Sequence, residues 1–536
     1  MAEKTKRHRN KKKRDKAILR PRKHSLINRT FLTQGAITLL LILIQIAFIV
    51  LAVIYLINEF ILIMMLIDFI LVLVVIFAIL RRPGDISYKI AWITTVAILP
   101  VFGSLLYVWV RMFPNTKIII KRYNKRIEET KEVLPQNVEI VKRMKEDYPT
   151  YGGVFAALYE QTAAPVNANQ KLTHYKVGED AYPYMLEALE NAKEFVFLEY
   201  FIIAGGKMFG EIIEILRRKV KEGVEVRLIY DGLNHLTSVP RNYHRHLRKT
   251  GIKVKVFAPL SSSVSPYQNN RDHRKLFIVD GKVAFTGGIN LADEYINEID
   301  RFGYWKDTVV KIEGDAVNTM TAQFLQMWSI LGKDRKKPME LEKYMRENKV
   351  EEEINNYLVP YIDLPDNKMA ISEQLFVSQI AQAHKYVHVF TPYLVMSESL
   401  RKEIIFAAKR GLEVIIIMPS TPDKRLPFWV ARSYYKKLIK EGVQIYEYTP
   451  GFMHAKATIT DDEFVNTGSV NYDFRSLFLN YENGIIVADK DYAKTVEADF
   501  QECLEQSLKI SEKEIKEFPW WQKVMGRIGR IFGTLF

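Results

Sequence analysis

Two stretches of this 536-residue chain carry the same chemistry-bearing residues at the same spacing. HRKLFIVDGKVAFTGGIN begins at His273 and HAKATITDDEFVNTGSVN begins at His454. In each, a Lys lies two positions after the His (Lys275, Lys456) and an Asp seven positions after it (Asp280, Asp461). Thr286, Gly287, Gly288 and Asn290 in the first are matched by Thr467, Gly468, Ser469 and Asn471 in the second. One such pattern is weak, but two with matching tails are an internal duplication. Imidazole, ammonium and amide groups together are what phosphoryl chemistry at a phosphodiester needs.

Each motif reads as a strand, a turn and a second strand, with Asp280-Gly281 at the first turn. Residues two apart on a strand face the same side, so the His and Lys of one copy point together. Packed about a pseudo-twofold axis, the copies would form one site from His273, His454, Lys275, Lys456, Asn290 and Asn471. The lysines and amides would hold a phosphoryl group and stabilise transition-state charge. One His would attack phosphorus. The other would protonate the leaving oxygen and then deprotonate the incoming nucleophile. Such a site requires no metal ion or organic cofactor. A zinc site is a poor alternative, because no other His or Cys falls at ligand spacing.

The elements that must position these residues are short apolar strands alternating with amphipathic helices. EFVFLEYFII (194–203), FGEIIEILRRKVKEG (209–223) and VEVRLIYD (224–231) form one βαβ unit, and 385–394, 399–411 and 412–419 form another. The first unit precedes the first motif and the second precedes the second. The duplication therefore spans about 180 residues per copy, as the His273-to-His454 interval indicates. The predicted fold is α/β, with one domain over 114–335 and a second over 336–510. The charged segment 332–356 reads as a surface linker or helix between them.

The formal net charge of +15 is concentrated at the start, where residues 1–30 hold 13 Lys or Arg against two acids. Segment 1–34 reads as a basic tail kept on the cytoplasmic side. From Gly35 to Leu80 the chain is almost wholly apolar, enough for transmembrane helices over about 36–57 and 60–80. Asp68 lies inside the second of these. A third apolar stretch, about 90–110, has basic flanks and contains Pro100 and Gly103. That favours a re-entrant or interfacial hairpin over a third crossing, so the membrane region covers 35–113. The tail 511–536 mixes Trp520, Trp521, Ile528 and Ile531 with Lys523, Arg527 and Arg530, the composition of an interfacial amphipathic helix, with a helix docked on the protein as the alternative. The single cysteine, Cys503, rules out a disulfide framework.

With these motifs the chain resembles the phospholipase D superfamily, whose mark is a pair of HxKxxxxD motifs with trailing Gly-Gly/Ser-x-Asn. It is more specifically similar to bacterial cardiolipin synthases through GGINLADEY (287–295), YWKDTVVKIEG (304–314), TPYL (391–394), RSYYKKLIKEGVQIYEYTPGFMHAK (432–456) and SVNYDFRSLFLNYENG (469–484). The resemblance covers roughly residues 36–536. It implies two pseudo-symmetric phospholipase D-like domains, each a mixed sheet flanked by helices, behind a transmembrane hairpin. It also implies transfer of a phosphatidyl group from one phosphatidylglycerol to another, giving cardiolipin and glycerol through a phosphohistidine. His273 would be the nucleophile and His454 the acid/base, although the pseudo-symmetry permits the exchange. Asp280 and Asp461 complete the catalytic motif, and such aspartates are more often structural, pinning a loop, than direct participants. Glu482 sits where the family places a carboxylate supporting the second motif's His. In the first half Asp307 and Glu199 are candidates for that role. The chain departs from the common pattern at Leu394 and at Ala204-Gly205-Gly206.

The resemblance implies a multi-pass enzyme of the cell membrane with cytoplasmic catalytic domains and phospholipid partners, and it is compatible with a homo-oligomer. A hydrolytic phospholipase or a phosphatidylserine synthase could share the motifs. A nuclease would suit the basic tail, but the apolar segments argue against a nucleic-acid partner.

Overall fold

The computed structural model describes residues 40, 43–51, 60–81, 86–111, 115–259, 269–332, 337–365 and 369–533. The basic segment 1–34 and most of the expected first span lie outside these residues, although 43–51 are helical. Helix Phe60–Leu80 coincides with the expected second span. Over Leu62–Leu80 it is long and apolar enough to cross a membrane.

The stretch after it folds into two short helices, Ile86–Ile98 and Pro100–Arg111. At about 1.5 Å per residue, neither is long enough to cross a bilayer alone. The break falls where Pro100 lacks the N–H needed to continue the first helix. Trp92 and Tyr107 meet edge to face at 5.2 Å. The helices approach closely at Gly103, where a Cβ would lie 2.7 Å from the Thr95 carbonyl oxygen. Gln45 accepts a hydrogen bond from the Phe102 amide at 3.0 Å, tying the first apolar segment to this pair.

Two sheets follow, built on one plan. In the first, Phe195–Tyr200, Glu225–Asp231 and Lys253–Phe257 run parallel. On the other side of Phe195–Tyr200, strands Lys275–Val279, Val283–Gly287, Val309–Glu313 and Lys171–Tyr175 follow in antiparallel sequence. In the second sheet, Tyr386–Phe390, Glu413–Pro419 and Gln444–Tyr448 are parallel. Ala457–Thr460, Phe464–Gly468, Glu482–Ala488 and Tyr357–Asp363 then repeat the antiparallel half. The βαβ units announce only the parallel half, so the sheets are mixed. Short strands Asn167–Ala168 and Ser507–Lys509 extend the edges of the second sheet.

Successive strand residues point to opposite faces. Leu276 and Ile278 face a core shared between the sheets, while Phe277 and Val279 face a layer with helices Gly178–Asn191 and Lys207–Lys221. The shared core also holds Ile459, Val465, Ile485 and helix Ala316–Ile330, which is buried along its whole length. Burial on both faces explains why the strands read as continuous apolar runs. The segment 332–356 is less free than a linker: Leu341 and Tyr344 are buried, and the Tyr344 hydroxyl accepts from Arg227 at 2.6 Å.

Candidate active site

The two motif strands begin side by side, because each repeat pairs with the segment that leads into the other's motif. Tyr304–Lys306 runs parallel to Gly451–Met453, just before His454. Asp272, just before His273, bridges Tyr481. As a result the His454 amide donates to the Lys306 carbonyl at 2.7 Å, and the His273 amide donates to the Tyr481 carbonyl at 2.9 Å. The next residue along each partner segment is a carboxylate. His273 Nδ1 lies 2.9 Å from Glu482 Oε2, and His454 Nδ1 lies 2.5 Å from Asp307 Oδ2.

Each carboxylate therefore orients the His of the opposite repeat. Glu482 serves His273, and not the second motif as its sequence position implied. Asp307, not Glu199, serves His454. Glu199 is paired with the buried Arg274. The sheet register makes Asp307 and Glu482 equivalent: Gly287 opposes Val309 and Gly468 opposes Gly484, two residues beyond each acid. Sequence offsets concealed this, since Asp307 lies 34 residues after His273 and Glu482 only 28 after His454. A carboxylate at Nδ1 holds the proton there and leaves Nε2 free to face the substrate.

Each lysine folds back onto the histidine of its own motif. Lys275 Nζ donates to the His273 carbonyl at 2.6 Å, and Lys456 Nζ donates to the His454 carbonyl and sits 3.0 Å from His454 Nδ1. Burial pushes Lys275 down to about 7 and Lys456 down to about 8, with the two ammonium groups repelling at Lys275. Burial, reinforced by Lys456, lowers His454 to about 4 despite Asp307. His273 is lowered by burial too, against the pull of Glu482. Burial alone would raise the two carboxyls. Lys456 and His454 hold Asp307 below its ordinary range, and His273 and Lys275 do the same for Glu482. Burial thus disfavours each cation here, and a phosphate anion beside them would raise the lysines and histidines again.

The Asn pair is less free than the motif implied. Asn290 accepts from the Ile202 amide at 2.9 Å and donates to the Tyr295 hydroxyl at 2.8 Å. Asn471 donates to Ser476 Oγ at 3.1 Å. One N–H of each amide is committed, leaving the second for a ligand.

The motif aspartates do not enter the site. Asp280 lies at the far end of the five-residue strand from Lys275, about 16 Å away at strand rise. Its carboxylate accepts from the amides of Lys193, Glu194 and Phe195. Asp461 accepts likewise from His384, Lys385 and Tyr386. Both pin the loop entering the neighbouring strand, with positive φ of 53° and 60°.

Asn483 escaped the sequence reading. Its Oδ1 accepts from the Lys275 amide at 2.9 Å and its Nδ2 donates to Thr286 Oγ1 at 2.8 Å, clamping one repeat to the other. Ser469 and Gly288 are equivalent but not interchangeable. Ser469 Oγ donates to Glu482, whereas a Cβ on Gly288 would fall 1.9 Å from Asp307 Oδ1. Aromatic rings enclose the second His, with Trp305, Phe452 and Tyr295 at 5.2, 5.6 and 5.7 Å. Phe201 lies 5.1 Å from the first.

Comparison with known proteins agrees with this architecture. A family model described as cardiolipin synthase, PLD-like domain, matches residues 185–328 and 376–504, one match on each sheet. An uncharacterised protein of Streptococcus mutans is 40% identical over 83% of this chain and 96% of its own length. A cardiolipin synthase of Halalkalibacterium halodurans is 30% identical over 86% of this chain and 91% of its own. Cardiolipin synthase 2 of Bacillus anthracis is 31% identical over 80% and 82%. The crystal structure of phosphatidylserine synthase from Haemophilus influenzae shares the fold, with a TM-score of 0.57 at 15% identity over 72% of this chain and 99% of that one. The chain belongs to the phospholipase D-like cardiolipin synthase family and is an enzyme of the phosphatidyltransferase type.

Proposed function

We propose that this protein is a cardiolipin synthase acting on phosphatidylglycerol at a membrane surface. The observation that carries the reading is the crossed pairing of two His-Lys sets with Asp307 and Glu482, in a chain whose relatives named cardiolipin synthase match it over most of both lengths.

In the first half-reaction His273 Nε2 attacks the phosphorus of one phosphatidylglycerol, forming a P–N bond as the P–O bond to glycerol breaks. His454, taken to the imidazolium form when the anionic phosphodiester binds beside it, gives its Nε2 proton to the departing glycerol oxygen. In the second, a terminal hydroxyl of another phosphatidylglycerol gives its proton to His454 and attacks phosphorus. The P–N bond then breaks and cardiolipin forms. Lys275 and Lys456 neutralise the phosphoryl oxygens, and Asp307 and Glu482 stabilise the imidazolium and phosphoimidazolium forms. His273 is assigned as nucleophile because the N-terminal motif's His takes that role in the superfamily the chain resembles. The aromatic enclosure of His454 limits access of water, which favours transfer to a lipid alcohol over hydrolysis.

Purified protein in phosphatidylglycerol vesicles should yield cardiolipin and glycerol in equal amounts by lipid mass spectrometry, with no product from His273→Ala or His454→Ala. Phosphatidic acid without cardiolipin would overturn the transferase reading in favour of a phospholipase.

A further inference from the structure

The C-terminal helix Trp520–Phe532 presents three faces. Gly526 and Gly529 form the docked face: a Cβ would fall 2.3 Å from the Trp429 carbonyl at the first and 2.6 Å from Val430 Cγ2 at the second. Trp520, Val524, Ile528 and Ile531 form an exposed apolar face. At about 3.6 residues per turn, Lys523, Arg527 and Arg530 fall between the two. The helix is thus docked on the protein and also offers an apolar side to lipid.

Beside the basic stripe lies a cavity of about 350 Å³ lined by Arg401, Arg527 and Arg530, with Glu398 as its one carboxylate. Arg401 is bonded to Glu398, and Arg530 lies 4.3 Å over the Tyr434 ring. Arg527 forms no ion pair among the described residues. Three guanidinium groups against one carboxylate leave two positive charges unneutralised. The remaining walls are apolar, including Ile90, Val395, Phe474 and Ile531. Ile90 belongs to helix Ile86–Ile98, whose Ile86, Ile90 and Ile98 are exposed. The cavity is therefore continuous with the apolar surfaces of both the hairpin and the tail. No residue of the two His-Lys sets lines it.

We propose that this cavity binds an anionic phospholipid drawn from the bilayer, in addition to the lipids at the reaction centre. Guanidinium groups hold the phosphodiester, bidentate pairing being their favoured geometry with phosphate. The acyl chains run along Ile90 and Ile531 into the membrane. A soluble phosphate would satisfy the arginines but leave those apolar walls unused, so a lipid is the occupant the walls select. This inference rests on the chain being a membrane-surface enzyme, not on which reaction it performs.

The test uses the full-length chain with His273→Ala, which blocks turnover, in phosphatidylcholine nanodiscs titrated with phosphatidylglycerol. Native mass spectrometry counts the retained lipids. Arg527→Gln with Arg530→Gln should weaken retention of one phosphatidylglycerol by about tenfold, as loss of charged hydrogen bonds would. Arg527→Lys with Arg530→Lys, a milder change should the first pair fold poorly, should weaken it less while preserving its preference over phosphatidylcholine. Unchanged retention in the Gln pair, equal retention of phosphatidylcholine, or displacement of the lipid by millimolar inorganic phosphate would overturn the proposal. Turnover of phosphatidylglycerol by the chain with His273 intact is measured separately. Its failure would remove the proposed reaction without altering what the lipid count says of the cavity.

Discussion

Asp307→Asn isolates the crossed arrangement, because it removes one charge and keeps the shape. Asp307 is fully buried and 2.5 Å from His454 Nδ1. With charge centres about 4 Å apart and an effective dielectric constant of about 20, the carboxylate stabilises the imidazolium by about 4 kcal/mol. The neighbouring Lys456 remains and offsets none of that loss. At about 1.36 kcal/mol per decade the variant should lose between about 10² and 10³ in kcat. The assay is cardiolipin formation in phosphatidylglycerol vesicles, paired with site-resolved modification of histidines by diethyl pyrocarbonate across pH. Loss of an adjacent negative charge lowers a His pKa, so the modification profile of His454 should move to lower pH while that of His273 stays in place. A shift at His273 instead, or a kcat within threefold of wild type (a margin of about 0.65 kcal/mol), would refute the crossed pairing. Glu482→Gln should give the converse, with His273 shifted and His454 unmoved.

Gly288→Ser copies the other repeat but puts a Cβ 1.9 Å from Asp307 Oδ1, so kcat should fall by at least about tenfold in the vesicle assay. Asp280→Ala removes three amide hydrogen bonds remote from the chemistry; thermal unfolding should show a loss of about 2–4 kcal/mol, with kcat per folded molecule nearly kept. Lys275 and Lys456, lowered by burial to about 7 and about 8, must be protonated to bind an anion, so KM for phosphatidylglycerol should rise as pH climbs through that window. His454, depressed to about 4, favours the neutral fold, so its contribution to stability is present above about 6.5 and is lost as pH falls towards 4, which acid titration of the melting temperature would report. Quenching during turnover in neutral denaturant, which spares the acid-labile P–N bond, and peptide mass spectrometry should find the phosphatidyl adduct at His273; an adduct at His454 alone would reverse the two roles.

The sequence by itself made the duplication and the paired His-Lys sets legible. His273, Lys275, His454 and Lys456 are legible because a strand places residues two apart on one side, whatever the rest of the fold does. The long apolar helix and the Pro100 break are legible for the same local reason, since length, hydropathy and a missing N–H act within a few residues. Tertiary structure decided which carboxylate meets which His. Asp307 and Glu482 become equivalent only through strand register, and the two repeats differ in loop length between motif and acid, so no offset could pair them. Register also carried Asp280 and Asp461 to the far ends of their strands, where the motif's fixed spacing had left them looking like members of the site. The tail was open between protein and lipid because one amphipathic pattern serves either. Gly526 and Gly529 settle its docking, since only glycine allows Trp429 and Val430 so close, and the other faces carry its exposed apolar and its basic side chains.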